Sequence, residues 1–313
     1  MTLTSTPVCR AGRELGTRTR RRPASWRSGW GFLTPAVVLL IGIVLVPIGV
    51  ACYLMFTRWS GFGSPKFVGL SNLQRAALED PTFWHSLGVT AMYVIAAVCI
   101  CFGWGFCLAW LLYRKPPGWR LFRVAIFIPV VTPGIAMGIF WSFALAPAPL
   151  GFLDRMLAGI GLRVVQPNWL STGFGAMSGI VAVSVWGEVG VATILLFAGM
   201  ARLPSDVFEA AKIDGASSWQ ETREVFLPLL RPVMVVVAFV LLVWAIQVFG
   251  IPFVLTNGGP QEATYVVGLY IYDLAFRYGE MGYAVAISML VALVTGVCGI
   301  VGGRVLLRRG SRE

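Results

Sequence analysis

Histidine is almost missing from this 313-residue chain, which has one, His85, and charged residues make up only 12% of it. A lone histidine with no carboxylate or nucleophile partner argues against metal and general-base chemistry, and leaves His85 a surface role at the mouth of an apolar run. No G-x-x-x-x-G-K-[ST] segment occurs, so the chain carries no phosphate loop and does not hydrolyse ATP itself. Of six cysteines, Cys9 lies in a basic tail and Cys52, Cys99, Cys101, Cys107 and Cys298 in apolar stretches, without a CxxC pair outside them. That pattern speaks against a redox pair or zinc site and reads as small apolar packing residues. Short segments alternating polar and apolar, the mark of a β-barrel, are lacking too.

What is abundant is apolar surface. Hydrophobic residues make up 57% of the chain, more than the exterior of a water-soluble domain of this size accommodates. A helix needs about 20 apolar residues to cross the hydrocarbon layer, and six runs qualify: 33–56, 84–112, 121–145, 175–199, 232–254 and 281–303. The expected fold is therefore all-α and polytopic, with about six transmembrane helices. The run 33–56 is too long for a signal-peptide core and lacks a small-x-small cleavage pattern, so it reads as a retained span.

Charge sets the orientation. With the amino terminus in the cytoplasm, the segments 1–32, 113–123, 200–231 and 304–313 hold 19 of the 25 basic residues, as the positive-inside rule requires. Both termini are then cytoplasmic, in a cell (plasma) membrane protein. The net charge of +11 is a topology signal held near anionic lipid, and not a nucleic-acid footprint. Residues 1–29 form a basic cytoplasmic tail of low order, and 30–313 the membrane domain, with one long cytoplasmic loop at 201–231.

That loop reads as two short helices around a turn. Ser205 is the expected N-cap of the first, with Asp206 in its first turn; Asp214 and Gly215 end it. Ser218 and Glu221 fit a capping box for the second, which is expected to stop at Leu227-Pro228. Phe208 and Ala211 share a face, and the small side chains of Ala210 and Ala211 let another backbone come close.

Glu209-Ala210-Ala211, followed by Gly215, Val225 and Leu227-Pro228 at set spacings, resembles the EAA signature of permease subunits of binding-protein-dependent ABC importers. The family pattern has Ile where this chain has Val225, a conservative departure. Ile213-Asp214-Gly215-Ala216 and the segment Leu255-Thr256-Asn257-Gly258-Gly259-Pro260 resemble the carbohydrate-uptake branch, relatives of the maltose and glycerol-phosphate permeases, and the likeness extends over about residues 30–305. The resemblance implies the type I importer permease fold and a role for Glu209, Ala210, Ala211, Asp214 and Gly215 in a coupling helix that docks on a cytoplasmic ATPase. It implies a homologous second permease, two ATPase copies that bind the ATP and Mg, and an external solute-binding protein. This chain would bind no cofactor and catalyse no covalent step. A secondary transporter would need internal repeats and its own ion site, and a membrane-embedded enzyme would need clustered His, Asp or Glu; neither is evident.

Polar groups and broken backbone within the spans mark candidate stretches of the solute path. Pro129, Thr132, Pro133 and Gly134 kink the third span, either for packing or to line a cavity. Glu188, beside Ser184 and Trp186, lines the path or pairs with the companion permease; a carboxylate there would disfavour anionic solutes. Trp244, Gln247 and Phe249 combine a flat apolar surface with an amide, which suits a sugar, although Gln247 also fits a helix–helix hydrogen bond. Gly258, Gly259 and Pro260 form an external turn. Disaccharides, amino sugars and glycerophosphodiesters are all compatible with these residues. Asp154, Arg155 and Arg163 belong to an external segment, 146–173, expected to hold a short surface helix that touches the binding protein.

Overall fold

The computed structural model describes residues 26–146, 151–161 and 169–310. Most of the basic tail, and Arg163, lie outside them. Two compact units result, divided after Val50. The first run forms helix α1 (Trp26–Leu39), a π turn (Leu40–Leu45) and α2 (Val46–Leu54). Every residue from Leu33 to Val50 is exposed, and an apolar surface on all sides is what a lipid-immersed helix requires.

The second unit opens with a short hairpin, β1 (Thr57–Arg58) antiparallel to β2 (Lys66–Phe67), with Thr57 opposite Phe67. Helix α3 (Ser71–Gln74) runs into a π turn (Arg75–Glu79). Then α4 (Pro81–Tyr113) begins where its sequence allows. The Asp80 side chain accepts the Phe83 N–H at 3.0 Å, and Pro81 takes the first turn, where its missing donor costs nothing. Next come α5 (Trp119–Phe127), a 3-10 turn (Pro129–Val131) and α6 (Gly134–Ala144). Thr132 and Pro133 between them are extended, and the two halves meet at 100°. The expected kink is thus a full break. Pro133 removes a donor and disfavours helical φ/ψ at Thr132 before it.

Helix α7 (Phe152–Gly159) is the short helix expected after the third span; its buried Asp154 accepts the Trp169 indole N–H at 3.1 Å. Helix α8 (Gly173–Met200) starts on Thr172, whose hydroxyl accepts the Gly175 N–H. After α9 (Ser205–Ile213) and α10 (Ser218–Gln220), a π turn (Glu221–Phe226) leads without interruption into α11 (Leu227–Ile246). Helix α12 (Gly250–Leu255), α13 (Val267–Tyr272) with a π turn (Asp273–Arg277), and α14 (Met281–Gly310) complete the chain. Among the described residues, five helices are long and apolar enough to cross a membrane, up to six if the bent α5–α6 pair is one span.

Two expectations need correction. The second loop helix does not stop at Leu227-Pro228. The π turn shifts the hydrogen-bond ladder, the Leu227 N–H reaching Thr222 O, and Pro228 sits at the start of the restored α register, where its missing N–H is tolerated. The fifth span does not run unbroken from 232 to 254. It ends at Ile246, and residues 247–249 leave helical geometry before α12. Among the glycines of the long helices, Gly105 and Gly299 meet neighbours, whereas Gly103 and Gly296 have nothing within 4 Å.

The core is centred on α4 and α8, with α11 packed across both. Tyr93, Ala97 and Cys101 from α4, Ile180, Ala192 and Leu196 from α8, and Leu230 and Leu241 from α11 are essentially inaccessible. A Cβ on Gly105 would lie 2.7 Å from Ala192 Cβ, and one on Gly190 would lie 2.6 Å from Ile126 O. Only hydrogen fits at those contacts, and dispersion between close backbones is what holds helices together in lipid. The two half-helices following the breaks also pack together: α6 lies on α12, with Gly138 against Val254.

Candidate functional site

The two broken helices meet around a cavity of about 450 Å³ lined by Tyr93, Gly134, Ser184, Val240, Trp244, Gln247, Phe249 and Gly250, among others. Each lining residue has a local cause. Trp244 and Gln247, one helical turn apart, share a face of α11. Gln247 ends that helix, and its amide N–H donates to Val243 O at 3.1 Å, leaving its Oε1 without a partner among the described residues. Phe249 follows in the break and stacks on Phe253 at 5.3 Å, within reach of Tyr272. Gly134 opens α6 after the other break.

Ser184 is 2% exposed, and among the described residues its hydroxyl has no hydrogen-bond partner of acceptable geometry, although the Tyr93 hydroxyl lies close beside it. A buried hydroxyl without a partner costs about 1–3 kcal/mol and is a group ready to meet a polar solute. Tyr93 was not singled out from the sequence. Within a run as apolar as α4 a tyrosine gives no signal of what it will face.

Other candidates fall outside this cavity. Pro129 ends α5 and lines a separate apolar groove, while Thr132 turns its hydroxyl back to Ile128 O at 3.4 Å. Glu188 is half-buried on α8 near Tyr93 and Cys101, with neither a hydrogen bond nor an ion pair among the described residues. The groove that takes in Pro129 measures about 1130 Å³ and runs along α4 and α8 past Met92, Ile100, Trp104 and Trp186. His85 is at one end of it, with Nε2 3.2 Å from Glu262 O.

At the opposite end of the helices from His85, α9 presents Glu209 and Ala210 exposed, with Ala211 half-buried beside them. It ends in a Schellman turn: Gly215 takes φ of 81°, and the Ala216 N–H reaches back to Ala211 O at 3.0 Å. Ser205 is the first residue of α9 rather than its cap, and its hydroxyl lies 3.2 Å from Asp206 Oδ1. The capping box of the second helix also lies one residue earlier than expected. The Ser217 N–H and hydroxyl both donate to Gln220 Oε1, at 2.9 and 2.8 Å, and the Gln220 N–H returns to Ser217 Oγ.

These features can be set beside known proteins. Residues 102–309 match the family model described as binding-protein-dependent transport system inner membrane component. The chain belongs to that family.

The permease is 32% identical to the "Probable starch degradation products transport system permease protein AmyD" of Thermoanaerobacterium thermosulfurigenes, over 87% of this chain and 91% of that one. It is 33% identical to the trehalose/maltose transport system permease protein MalF of Thermococcus litoralis, over 84% and 88%. A crystal structure of a bacterial ABC transporter that imports the acidic polysaccharide alginate shares its fold, with a TM-score of 0.76 at 18% identity over 90% of this chain and 96% of that one. The permease is thus a multi-pass membrane component of an import system.

The turn at Gly258, Gly259 and Pro260 lies on the His85 side. The Thr264 hydroxyl donates to Gly259 O at 2.7 Å and lies 2.7 Å from the Thr256 hydroxyl. Arg277 reaches Asn257 Oδ1 at 3.2 Å while pairing with Asp273. Beside this turn, the Asp80 carboxylate accepts hydrogen bonds from the Tyr270 and Tyr283 hydroxyls, and Arg75 pairs with Glu280 at 2.6 Å while lying over the Tyr283 ring. Burial alone would raise the Asp80 pKa. The two tyrosine hydroxyls, the Phe83 amide and Arg75 outweigh it and hold the carboxyl below its ordinary value.

Proposed function

We propose that this permease passes a neutral sugar or sugar derivative across the membrane, through the cavity where its two broken helices meet. The observation that carries this reading is the composition of that cavity: Trp244, Phe249 and Tyr93 supply ring faces, while Gln247 and Ser184 supply polar groups with unused hydrogen-bonding capacity. Sugars present apolar faces edged by hydroxyls, and this lining complements both. The printed names of the relatives, starch degradation products and trehalose/maltose among them, support the same class.

With the α9 side in the cytoplasm, as the distribution of basic residues favours, α9 is the element that an ATPase would grip and Glu209, Ala210, Ala211, Asp214 and Gly215 are its contact residues. The long apolar groove on α4 and α8 offers a face to a companion permease, and the loops around Gly258–Pro260 face a solute-binding protein. Two ATPase copies, which would hold the ATP and Mg, complete the complex. Their closure would draw two coupling helices together and turn the cavity outward.

The test is ATP-dependent uptake of labelled oligosaccharides by the complex reconstituted in liposomes. Gln247→Leu and Trp244→Ala are expected to reduce uptake at least tenfold, with assembly and basal ATP hydrolysis near wild type. Undiminished uptake by both variants would remove the cavity from the pathway.

A further inference from the structure

A second, smaller cavity lies beneath α9, where the end of α4 meets the π turn before α11. Its volume is about 330 Å³, and it is lined by Trp110, Tyr113, Ser205, Phe208, Glu209, Glu221, Thr222 and Phe226. Four of these are aromatic and arranged around one ring. Trp110 meets Phe226 edge-on at 4.8 Å between centroids, while Tyr113 and Phe208 stand 6.2 and 6.3 Å from the same Phe226. Phe226 is almost fully buried, whereas Trp110, Tyr113 and Phe208 keep accessible surface.

The two carboxylates in this lining are unusual for what does not meet them. Neither Glu209 nor Glu221 forms an ion pair or hydrogen bond among the described residues. Arg114 lies 5.2 Å from the centre of the Trp110 ring, but it does not line the cavity and does not reach either carboxylate. Aromatic faces carry negative charge density, and adding carboxylates makes a box that attracts a cation and repels an anion. The cavity reaches the lower end of the size range of small-ligand sites.

We propose that this aromatic and acidic pocket binds an alkylammonium or guanidinium group, with the rings of Trp110, Tyr113 and Phe226 around the cation and Glu221 as its counter-charge. Glu209 stands at the rim, on α9 itself, so occupancy of the pocket is tied to the position of α9. The group has two possible sources, a free organic amine or a lysine or arginine side chain of a docked ATPase. Only the second rests on the coupling reading above, and sugar passage through the other cavity depends on neither.

The experiment is calorimetric titration of tetramethylammonium and of methylguanidinium into the complex in lipid nanodiscs, and into the permease pair with the ATPase removed. Saturable binding to the permease pair is expected, weakened roughly tenfold or more by Glu221→Gln and by Trp110→Leu and largely kept by Trp110→Phe, which preserves a ring. Persistence of binding in the full complex identifies a free cation as the ligand, and its loss when the ATPase is present identifies the side chain. Thermal melting of each variant separates a lost site from a lost fold. The absence of saturable binding to the permease pair, or binding indifferent to Glu221→Gln and Trp110→Leu in folded protein, overturns the proposal.

Discussion

At the scale of single residues, the packing of this permease turns on atoms that are not there. Gly105 and Gly103 lie two positions apart on α4, yet a Cβ on the first would meet Ala192 Cβ at 2.7 Å and a Cβ on the second would meet nothing within 4 Å. Gly105→Leu is therefore expected to destabilise the chain by about 1–3 kcal/mol through overpacking against α8. Gly103→Leu, made in the same chain alone in detergent, is expected to stay within about 0.5 kcal/mol of wild type. Thermal unfolding midpoints of the two purified variants check this, and equal midpoints would mean that α4 and α8 do not approach as closely as Gly105 implies. The sequence alone did not distinguish these glycines. Both sit in an uninterrupted apolar run, and nothing local says which one looks at a neighbour.

Whole elements were more legible, and their limits have physical causes. Six apolar runs were readable because length and lack of charge suffice to define a span. The break at Thr132-Pro133 was foreshadowed by two prolines, but the break after Ile246 was not: Gln247, Val248 and Phe249 contain neither Pro nor Gly, and only tertiary packing takes them out of the helix. The capping box had two overlapping solutions, Ser217 with Gln220 and Ser218 with Glu221, and the pattern fits both equally. The network around Asp80 was invisible for a related reason, since its partners Tyr270 and Tyr283 are 190 and 203 positions away. It joins the start of α4 to α13 and α14 and so fixes the His85 side of the bundle. Because the folded-state pKa of Asp80 is depressed, its contribution to stability is fully present above the ordinary aspartate value of about 4 and is lost as pH falls through the lower, folded value. Asp80→Asn is expected to cost about 1–3 kcal/mol at neutral pH and to flatten the decline of the thermal midpoint as pH falls below about 4. An unchanged decline in the variant would show that other carboxylates set the acid limit.

For the whole molecule, the cavity lined by Trp244 and Gln247 and the α9 segment lie at opposite ends of α11, so on the proposed reading solute passage and energy input are linked through the helices between them. Helix α11 is the direct link. It is continuous with the π turn that packs against α9 at one end, and it presents Trp244 and Gln247 to the cavity at the other. On the proposed coupling reading, a displacement of α9 would be delivered along this helix to the cavity, with the π turn as the point where its register can slip. Ala211→Trp adds bulk at a half-buried position of α9 and is expected to weaken docking of an ATPase by about 1–3 kcal/mol, while Glu209→Ala removes an exposed carboxylate from the same helix. Both changes lie outside the spans, so membrane insertion and solute binding at the cavity should survive while ATPase association and solute-stimulated hydrolysis fall together. Co-purification of each variant with its companion permease and ATPase, followed by hydrolysis assays in proteoliposomes, reads both quantities. Wild-type stimulation in Ala211→Trp and Glu209→Ala alike would place the coupling contact elsewhere on the molecule, and α11 would then have to be driven from a different end.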